Sequence, residues 1–507
     1  MNIKQAKQEI KRSIQAYLAK DELGNYRIPS IRQRPVLVMG PPGIGKTQIM
    51  EQVARECGVA LVAYTITHHT RQSAVGLPFI QHKNYGGTEY AVTEYTMSEI
   101  IASIYEKMEQ TGLKEGILFI DEINCVSETL APTMLQFLQQ KTFGSHRVPE
   151  GWIIAAAGNP PEYNKSVKEF DIVTLDRVKK IDVQEDFSVW KEYAYQNNLH
   201  GAIISYLEIK KENFYRIQTT VDGKLFATAR GWEDLSQIIQ TYEILGLPVD
   251  QDLIIQYIQF PAIAKDFANY LELYYKYQTD YQIEAILSGM ISERAISKLK
   301  SSQFDERLSV IGLLLSKLSQ QFQQVELQDL LTTQLFEQLK SWKTKLQTYP
   351  AIQSLVELIQ GYRDTLEQKK QAGQLDQLQL QTGQKVLQIL EKYVLQLKQE
   401  SLEGQDAFEL VKNQFQQQPE KRKQLIQTAA MMLDYAFDFM EASFGNSQEM
   451  VIFITELTAN YFSMKFINEH GCDRYYMYNK GLLFQDRQKE VLEEIQELTQ
   501  LTRKDFD

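Results

Sequence analysis

The chain has few of the residues that build disulfide frameworks or zinc sites. Only three of its 507 residues are cysteines. Cys57, Cys125 and Cys472 are far apart in the sequence and lack the paired spacing of disulfide-linked or zinc-binding cysteines. The sequence therefore indicates neither disulfides nor zinc, and buried thiols in a reducing cytosol are the simpler interpretation.

Long apolar runs and an excess of basic residues are also missing. No apolar segment approaches the roughly 18 residues that a membrane helix needs, so we expect no membrane association. Residues 1–7 are polar and show no secretory signal, from which we expect a cytoplasmic protein. The net charge of −11 makes a nucleic-acid partner unlikely on composition, although a local basic groove remains compatible with it.

The chain does contain a complete phosphate-binding pattern. Residues 36–47 read Val-Leu-Val-Met-Gly-Pro-Pro-Gly-Ile-Gly-Lys-Thr, an apolar strand that leads into a glycine-rich turn. Gly43 and Gly45 permit backbone conformations in which successive N–H groups converge on phosphates. Lys46 would neutralise phosphate charge, and the Thr47 hydroxyl would hold Mg²⁺. The sequence therefore predicts binding of ATP or GTP by Gly40, Pro41, Pro42, Gly43, Ile44, Gly45, Lys46, Thr47 and Gln48.

A second apolar strand ends in two acidic residues. Residues 117–120 are Ile-Leu-Phe-Ile, and Asp121 and Glu122 follow directly. Asp121 at the strand end would ligate Mg²⁺ through water, because Mg²⁺ keeps most of its hydration shell. Glu122 would orient and deprotonate the attacking water. The alternative is an edge strand that ends in a surface acidic pair.

A third apolar strand ends in an amide. Residues 153–157 are followed by Gly158 and Asn159. The carboxyl end of a parallel strand is where doubly wound sheets bind ligands, so Asn159 would hydrogen-bond both the attacking water and a γ-phosphate oxygen. A plain turn residue before two prolines is the alternative interpretation.

The order of apolar and amphipathic segments predicts an α/β fold with further helical domains. Apolar strands alternate with helices over residues 35–186, as in a parallel sheet covered by helices. Apolar residues then recur at spacings of three and four, which indicates long packed helices. We predict four parts: residues 1–34 as an N-terminal helix and connector, 35–186 as an αβα domain, 187–290 as a smaller helical domain, and 291–507 as a helical extension that ends in a compact cap.

These motifs, in this order, resemble those of AAA+ ATPases, which are P-loop NTPases with an αβα large domain and an all-helical lid. Residues 121–124, 158–162 and 175–177 are similar to the MoxR-like and dynein-related branch. Two positions depart from that branch: Val178 stands where it usually has Phe, and Cys125 where it often has Arg.

The resemblance implies roles for two arginines. Arg177 matches the arginine that reaches into the ATP site of the next subunit and stabilises transition-state charge. Arg230, at the start of a helix over residues 228–235, is similar to the arginine of the second sensor motif, which contacts ATP in cis from the lid. Ion pairing with nearby carboxylates is the alternative for both, with Asp176 or Asp182 for Arg177 and Glu233 or Asp234 for Arg230.

Together these observations predict an Mg²⁺-dependent ATPase that assembles as a homo-oligomeric ring, with six subunits expected, and remodels, activates or matures a protein partner. The expected catalytic residues are Lys46, Glu122, Asn159, Arg177 and Arg230. The resemblance implies ATP rather than GTP, and a partner protein with a von Willebrand factor A domain. The sequence also predicts a small hairpin at residues 143–148. By the same resemblance this hairpin would face a central channel, and a plain turn is the alternative.

Two other functions remain compatible with the sequence. A nucleotide-gated scaffold would use the helical extension and turn over little ATP, although the presence of Glu122 favours turnover. A DNA-directed motor or loader is compatible with the same core but is disfavoured by the acidic composition.

Overall fold

The structure is a computed structural model that describes residues 1–68, 74, 76–127, 129–143, 146–163, 167, 170–221, 223–346 and 348–481. Contacts between Cα atoms divide the chain into two compact units. The first unit comprises Met1–Val189, Thr228–Arg230 and Thr333–Val411, and the second comprises Trp190–Ala227, Gly231–Thr332 and Lys412–Asp507. The four parts predicted from the sequence stay a prediction.

Strands are concentrated in the first unit. The strands in chain order are β1 (Val36–Met39), β2 (Ala60–Thr65), β3 (Pro78–Tyr85), β4 (Thr88–Tyr95), β5 (Gly116–Asp121), β6 (Thr142–Phe143), β7 (His146–Arg147), β8 (Trp152–Gly158), β9 (Lys179–Asp182), β10 (Arg216–Thr220) and β11 (Gly223–Ala227).

Helices make up most of the rest. The helices are α1 (Ile3–Leu18), α2 (Lys46–Cys57), α3 (Glu99–Thr111), α4 (Ala131–Gln140), α5 (Ile172–Leu175), α6 (Phe187–Gln196), α7 (Gly201–Ile209), α8 (Ala229–Leu245), α9 (Gln251–Tyr257), α10 (Pro261–Tyr281), α11 (Ile283–Leu287), α12 (Glu293–Ser301), α13 (Phe304–Lys345), α14 (Ala351–Gln371), α15 (Gln377–Glu400), α16 (Gly404–Phe415), α17 (Gln417–Phe444), α18 (Gln448–Ala459) and α19 (Tyr461–His470). Short 3₁₀ helices lie at Ser30–Arg32, Ile66–His68 and Lys211–Asn213.

Five strands form the parallel sheet that the sequence predicts, in the order β2-β5-β8-β1-β9. β1, β5 and β8 read as nearly continuous apolar runs because helices cover both faces of the sheet. Leu37, Leu118 and Ile154 belong to the core on one face, with residues of α3 and α4. The core on the other face contains side chains of α1 and α2. This arrangement confirms the αβα fold of a P-loop domain.

The N-terminal helix α1 is part of that second core. Asn2 begins the helix with a capping box, in which its side chain and that of Gln5 each accept from the backbone N–H of the other. Ala6, Ile10 and Ile14 are buried in the same cluster as residues of α2. The amphipathic pattern of α1 therefore reflects packing against the helix that follows the phosphate loop.

Within the described residues, three antiparallel hairpins accompany the sheet and the helices. β6 and β7 form the hairpin that the sequence predicts, with residues 144 and 145 outside the described residues. The β3–β4 hairpin and the β10–β11 hairpin were not predicted. Almost every residue of β3 and β4 is exposed, so neither face of this ribbon shows the apolar-polar contrast of a half-buried strand.

The second unit is mostly helical and has an aromatic core. Trp232, Tyr206 and Phe267 pack with ring centroids 5.2 to 5.8 Å apart. The buried Trp232 indole N–H donates to the carbonyls of Asn213 and Phe214. Among the described residues, no helix combines the length and apolarity needed to cross a membrane.

Candidate nucleotide-binding site

The carboxyl ends of three adjacent strands bring the predicted motifs together. β8 lies between β5 and β1, with Ile120 opposite Ala156 and Met39 opposite Gly158. The turns after these strands carry Asp121, the phosphate loop and Asn159, so parallel neighbours place all three at one edge of the sheet.

The phosphate loop has the backbone that its glycines permit. Gly43 and Gly45 have φ values of 74° and 90°, in the left-handed region that residues with a Cβ rarely adopt. Helix α2 begins immediately afterwards at Lys46 and runs for 12 residues. Its N-terminal N–H groups and partial positive charge therefore lie beside the loop, which is the arrangement that binds phosphate groups.

Lys46 is a buried cation whose hydrogen-bond partners are neutral oxygens. Its Nζ donates to the Gly40 carbonyl at 2.9 Å, the Pro41 carbonyl at 2.7 Å and Asn159 Oδ1 at 2.8 Å. The residue is 8% exposed, and burial lowers the pKa of its ammonium to about 8. The nearby Asp121 charge opposes this shift and raises the pKa. A buried ammonium with neutral partners gains from an added anion, so the site fits a phosphate group.

Two oxygen groups that suit Mg²⁺ lie next to this lysine. The Thr47 hydroxyl donates to Asp121 Oδ2 at 2.8 Å, and the other carboxylate oxygen of Asp121 accepts from the Glu122 N–H at 2.9 Å. Within the described ranges, no group of three or more His, Cys, Asp or Glu residues could hold a metal. One carboxylate and one hydroxyl, completed by water and phosphate oxygens, is the way in which proteins usually bind Mg²⁺. These residues therefore fit Mg²⁺, which would neutralise phosphate charge when bound.

Glu122 holds an unusual backbone conformation. Its φ is 56°, in the left-handed region, and its carbonyl accepts from the Cys125 N–H at 2.8 Å. Such a conformation costs a non-glycine residue about 1–3 kcal/mol and tends to occur at functional sites. The strained turn places a half-buried carboxylate directly after Asp121, as a general base for an attacking water requires.

Asn124 is a site residue that the sequence reasoning missed. It is 3% exposed, and its Nδ2 donates to the Asn159 carbonyl at 2.8 Å. The side chain therefore joins the acidic turn to the asparagine turn. The only sequence signal for Asn124 is its place in the segment 121–124 that resembles the MoxR-like branch.

The start of α8 contacts the phosphate loop. The Arg230 N–H donates to the Gly43 carbonyl at 3.2 Å, and a Cβ built on Gly43 would lie 3.3 Å from the Thr228 Cβ. The Arg230 side chain is exposed, and its charge contributes to the lowered pKa of Lys46. The structure thus brings Arg230 to the predicted site, and its sensor role stays a prediction. Thr228 is a second contact that no local pattern indicated.

Arg177 lies at the other edge of the sheet. Lys179 pairs with Val36 in the parallel β1–β9 ladder, so Arg177 lies at the amino ends of the strands. β1 has four residues and spans about 13 Å at the usual rise per strand residue. The exposed Arg177 guanidinium donates to Gln139 Oε1 at the end of α4. The structure therefore does not bring Arg177 to its own phosphate loop, and its role as a finger in trans stays a prediction.

Comparison with known proteins agrees with this geometry. The family described as "ATPase family associated with various cellular activities (AAA)" matches residues 36–175. "ATPase family gene 2 protein homolog B" of Mus musculus is 31% identical over 123 residues, which is 24% of this chain and 12% of that protein. The protein of the same name from Bos taurus is 31% identical over the same length and coverage, and that from Rattus norvegicus is 29% identical.

The match concerns one segment of the chain. The similarity spans 12% of the length of these relatives, so it concerns one domain rather than the whole protein. Residues 36–175 are similar to the AAA ATPase family, which supports nucleotide binding and ATPase activity in general terms.

Proposed function

We propose that the protein is an Mg²⁺-dependent ATPase of the AAA+ class that works as a homo-oligomeric ring, with six subunits, and remodels, activates or matures a protein partner. The observation that carries this proposal is the convergence of three turns on the buried Lys46. Thr47 and Asp121 supply oxygen ligands, Asn159 contacts Lys46 directly, and the helix that bears Arg230 begins on the phosphate loop. The first residues of α8 are thereby in direct contact with the phosphate loop.

Turnover distinguishes this proposal from a nucleotide-gated scaffold. Glu122→Gln removes the general base and keeps the size of the side chain, so phosphate release should fall by about 10²–10⁴-fold while ATP still binds. Glu22→Gln, at an exposed position in the N-terminal connector, is the matched control and should keep the parent rate. Equal phosphate release by the parent protein and Glu122→Gln would instead support the scaffold.

Ring assembly makes Arg177 act on a neighbouring subunit. Arg177→Ala should lower the hydrolysis rate by about 10³–10⁵-fold, the range for arginine fingers in related chemistry. Activity of the parent protein should rise more than linearly with concentration, and added Arg177→Ala subunits should inhibit parent subunits. Hydrolysis by Arg177→Ala at the parent rate would contradict the trans role.

The partner follows from the resemblance of residues 121–124, 158–162 and 175–177 to MoxR-like proteins. In that branch the expected partner contains a von Willebrand factor A domain, and the helical residues 291–507 are the proposed binding region. The Glu122→Gln variant, loaded with ATP and purified from the cytoplasm of its native host, should retain such a partner when analysed by mass spectrometry. Retention of bound DNA instead would favour the motor or loader.

A further inference from the structure

Asn124 is buried and yet, among the described residues, has an unpaired polar atom, a combination that packing alone does not explain. It is almost completely buried, and its Oδ1 has no hydrogen-bond partner within the part of the chain that the structure describes. Its Nδ2 nevertheless makes a good hydrogen bond to the Asn159 carbonyl. A buried polar atom without a partner loses its hydration with no compensation, so an apolar side chain would serve packing better.

The space around Asn124 is fitted to this side chain. A Cβ built on Gly158 would lie 2.7 Å from Asn124 Oδ1 and 3.0 Å from Met39 Sδ. Any side chain at position 158 would therefore displace the Asn124 amide. The backbone supports the same arrangement, because the Ile123 N–H donates to the Ala157 carbonyl at 3.0 Å.

The hydrogen bonds form a continuous path from the acidic turn to the lysine. Asn124 Nδ2 holds the Asn159 carbonyl, and Asn159 Oδ1 in turn accepts from Lys46 Nζ. With Oδ1 on Lys46, the NH₂ group of Asn159 is the end that points away from the lysine. That group is then available to donate to a phosphate oxygen or to the attacking water, and its direction depends on the backbone that Asn124 holds.

We propose that Asn124 is a positioning residue, which acts on hydrolysis by fixing Asn159 between the acidic turn and Lys46. This inference rests on the proposed ATPase function. It assigns to Asn124 an effect on the rate of hydrolysis that passes through Asn159 and not through nucleotide affinity.

A double-mutant cycle tests this dependence. Asn124→Asp keeps the shape but replaces the NH₂ donor, and Asn124→Ala removes the side chain without adding charge. Either change should lower kcat by about 10- to 100-fold, the scale of a misplaced catalytic group, with less than a twofold change in the Kd for ATP. In an Asn159→Ala background, the same changes should have no further effect on kcat. Asn25→Asp, at an exposed turn, is the matched control.

Three results would overturn the proposal. They are an equal loss of kcat in both backgrounds, a loss confined to the Kd for ATP, and no loss at all. A crystal structure of Asn124→Ala gives a second readout that does not depend on turnover. The proposal predicts that Asn159 Oδ1 moves beyond hydrogen-bond distance of Lys46 Nζ, whereas an unchanged contact would refute it. If the parent protein hydrolyses no ATP, the proposed function fails, but this structural comparison still decides the role of Asn124.

Discussion

The buried Lys46 predicts that nucleotide binding takes up a proton at alkaline pH. Burial lowers the pKa of its ammonium from the ordinary 10.5 to about 8 in the free protein. Phosphate charges favour the ammonium form, so the bound state holds the proton to higher pH. Above pH 8 the free lysine must therefore recover its proton when a triphosphate binds.

The number of protons taken up on binding follows from the titration of Lys46 alone. With a pKa of about 8, about nine tenths of the free protein carries neutral Lys46 at pH 9 and about one tenth at pH 7. Binding should thus take up about 0.9 proton at pH 9 and about 0.1 at pH 7. ATP affinity should fall by about tenfold per pH unit from pH 8 up to the pKa of the bound lysine.

Isothermal titration calorimetry in two buffers with different ionisation enthalpies measures this proton uptake. Lys46→Arg is the informative variant, because a guanidinium keeps its charge throughout this range and should abolish the uptake. Lys141→Gln is the control: burial also lowers the pKa of Lys141 to about 8, but this lysine lies after α4 and contacts Gln33 instead of the phosphate loop. If the parent protein takes up no proton at pH 9, or if Lys46→Arg still does, then Lys46 is not the group that gains a proton when ATP binds.

Three smaller predictions concern stability and packing. Gly116→Ala should lower the free energy of unfolding by about 1–3 kcal/mol in urea titrations, since the new Cβ would lie 2.6 Å from the buried Trp152 ring. Gly361→Ala should raise it by about 0.5–1 kcal/mol, because this position in α14 has no atom within 4 Å of an added Cβ; a decrease would contradict this. Arg55→Ala should speed hydrogen exchange around residue 373, whose carbonyl accepts from the Arg55 Nε at 3.3 Å, and unchanged exchange would show that this contact does not hold the α14–α15 turn.

The parallel sheet and its catalytic edge were predictable because burial and chemistry leave local signals. Strands covered on both faces read as continuous apolar runs, which identified β1, β5 and β8. Asp121 and Asn159 then follow directly from the rule that ligands bind at the carboxyl ends of such strands. The start of α8 was predicted within a residue, from the segment 228–235.

The missed features depend on contacts between distant parts of the chain. The hydrogen bond from Asn124 to Asn159 exists only because β5 and β8 are neighbours in the sheet, and no pattern near residue 124 encodes that register. Thr228 lies against Gly43 although the two residues are far apart in the sequence. Asp176 or Asp182 was the alternative partner for Arg177, whereas in the structure its guanidinium donates to Gln139 of α4. Sequence periodicity carries no information about such pairs.

The β3–β4 hairpin was missed for a different reason. Its residues Gln81, Lys83, Glu89 and Glu94 interrupt any apolar face, and nearly all of the ribbon is exposed. A strand without a buried face lacks the alternation by which strands are recognised.

A triphosphate bound with Mg²⁺ between the phosphate loop and Asp121 underlies every role assigned to the residues of this site. The most direct measurement is the Kd for ATP with Mg²⁺ and with EDTA, in the parent protein and in Thr47→Val, which keeps the side-chain shape without the hydroxyl. We predict one site per chain, with tighter binding in Mg²⁺ for the parent and loss of most of this difference in Thr47→Val. No saturable binding of ATP, or an affinity that is equal with and without Mg²⁺ in the parent protein, would contradict the account.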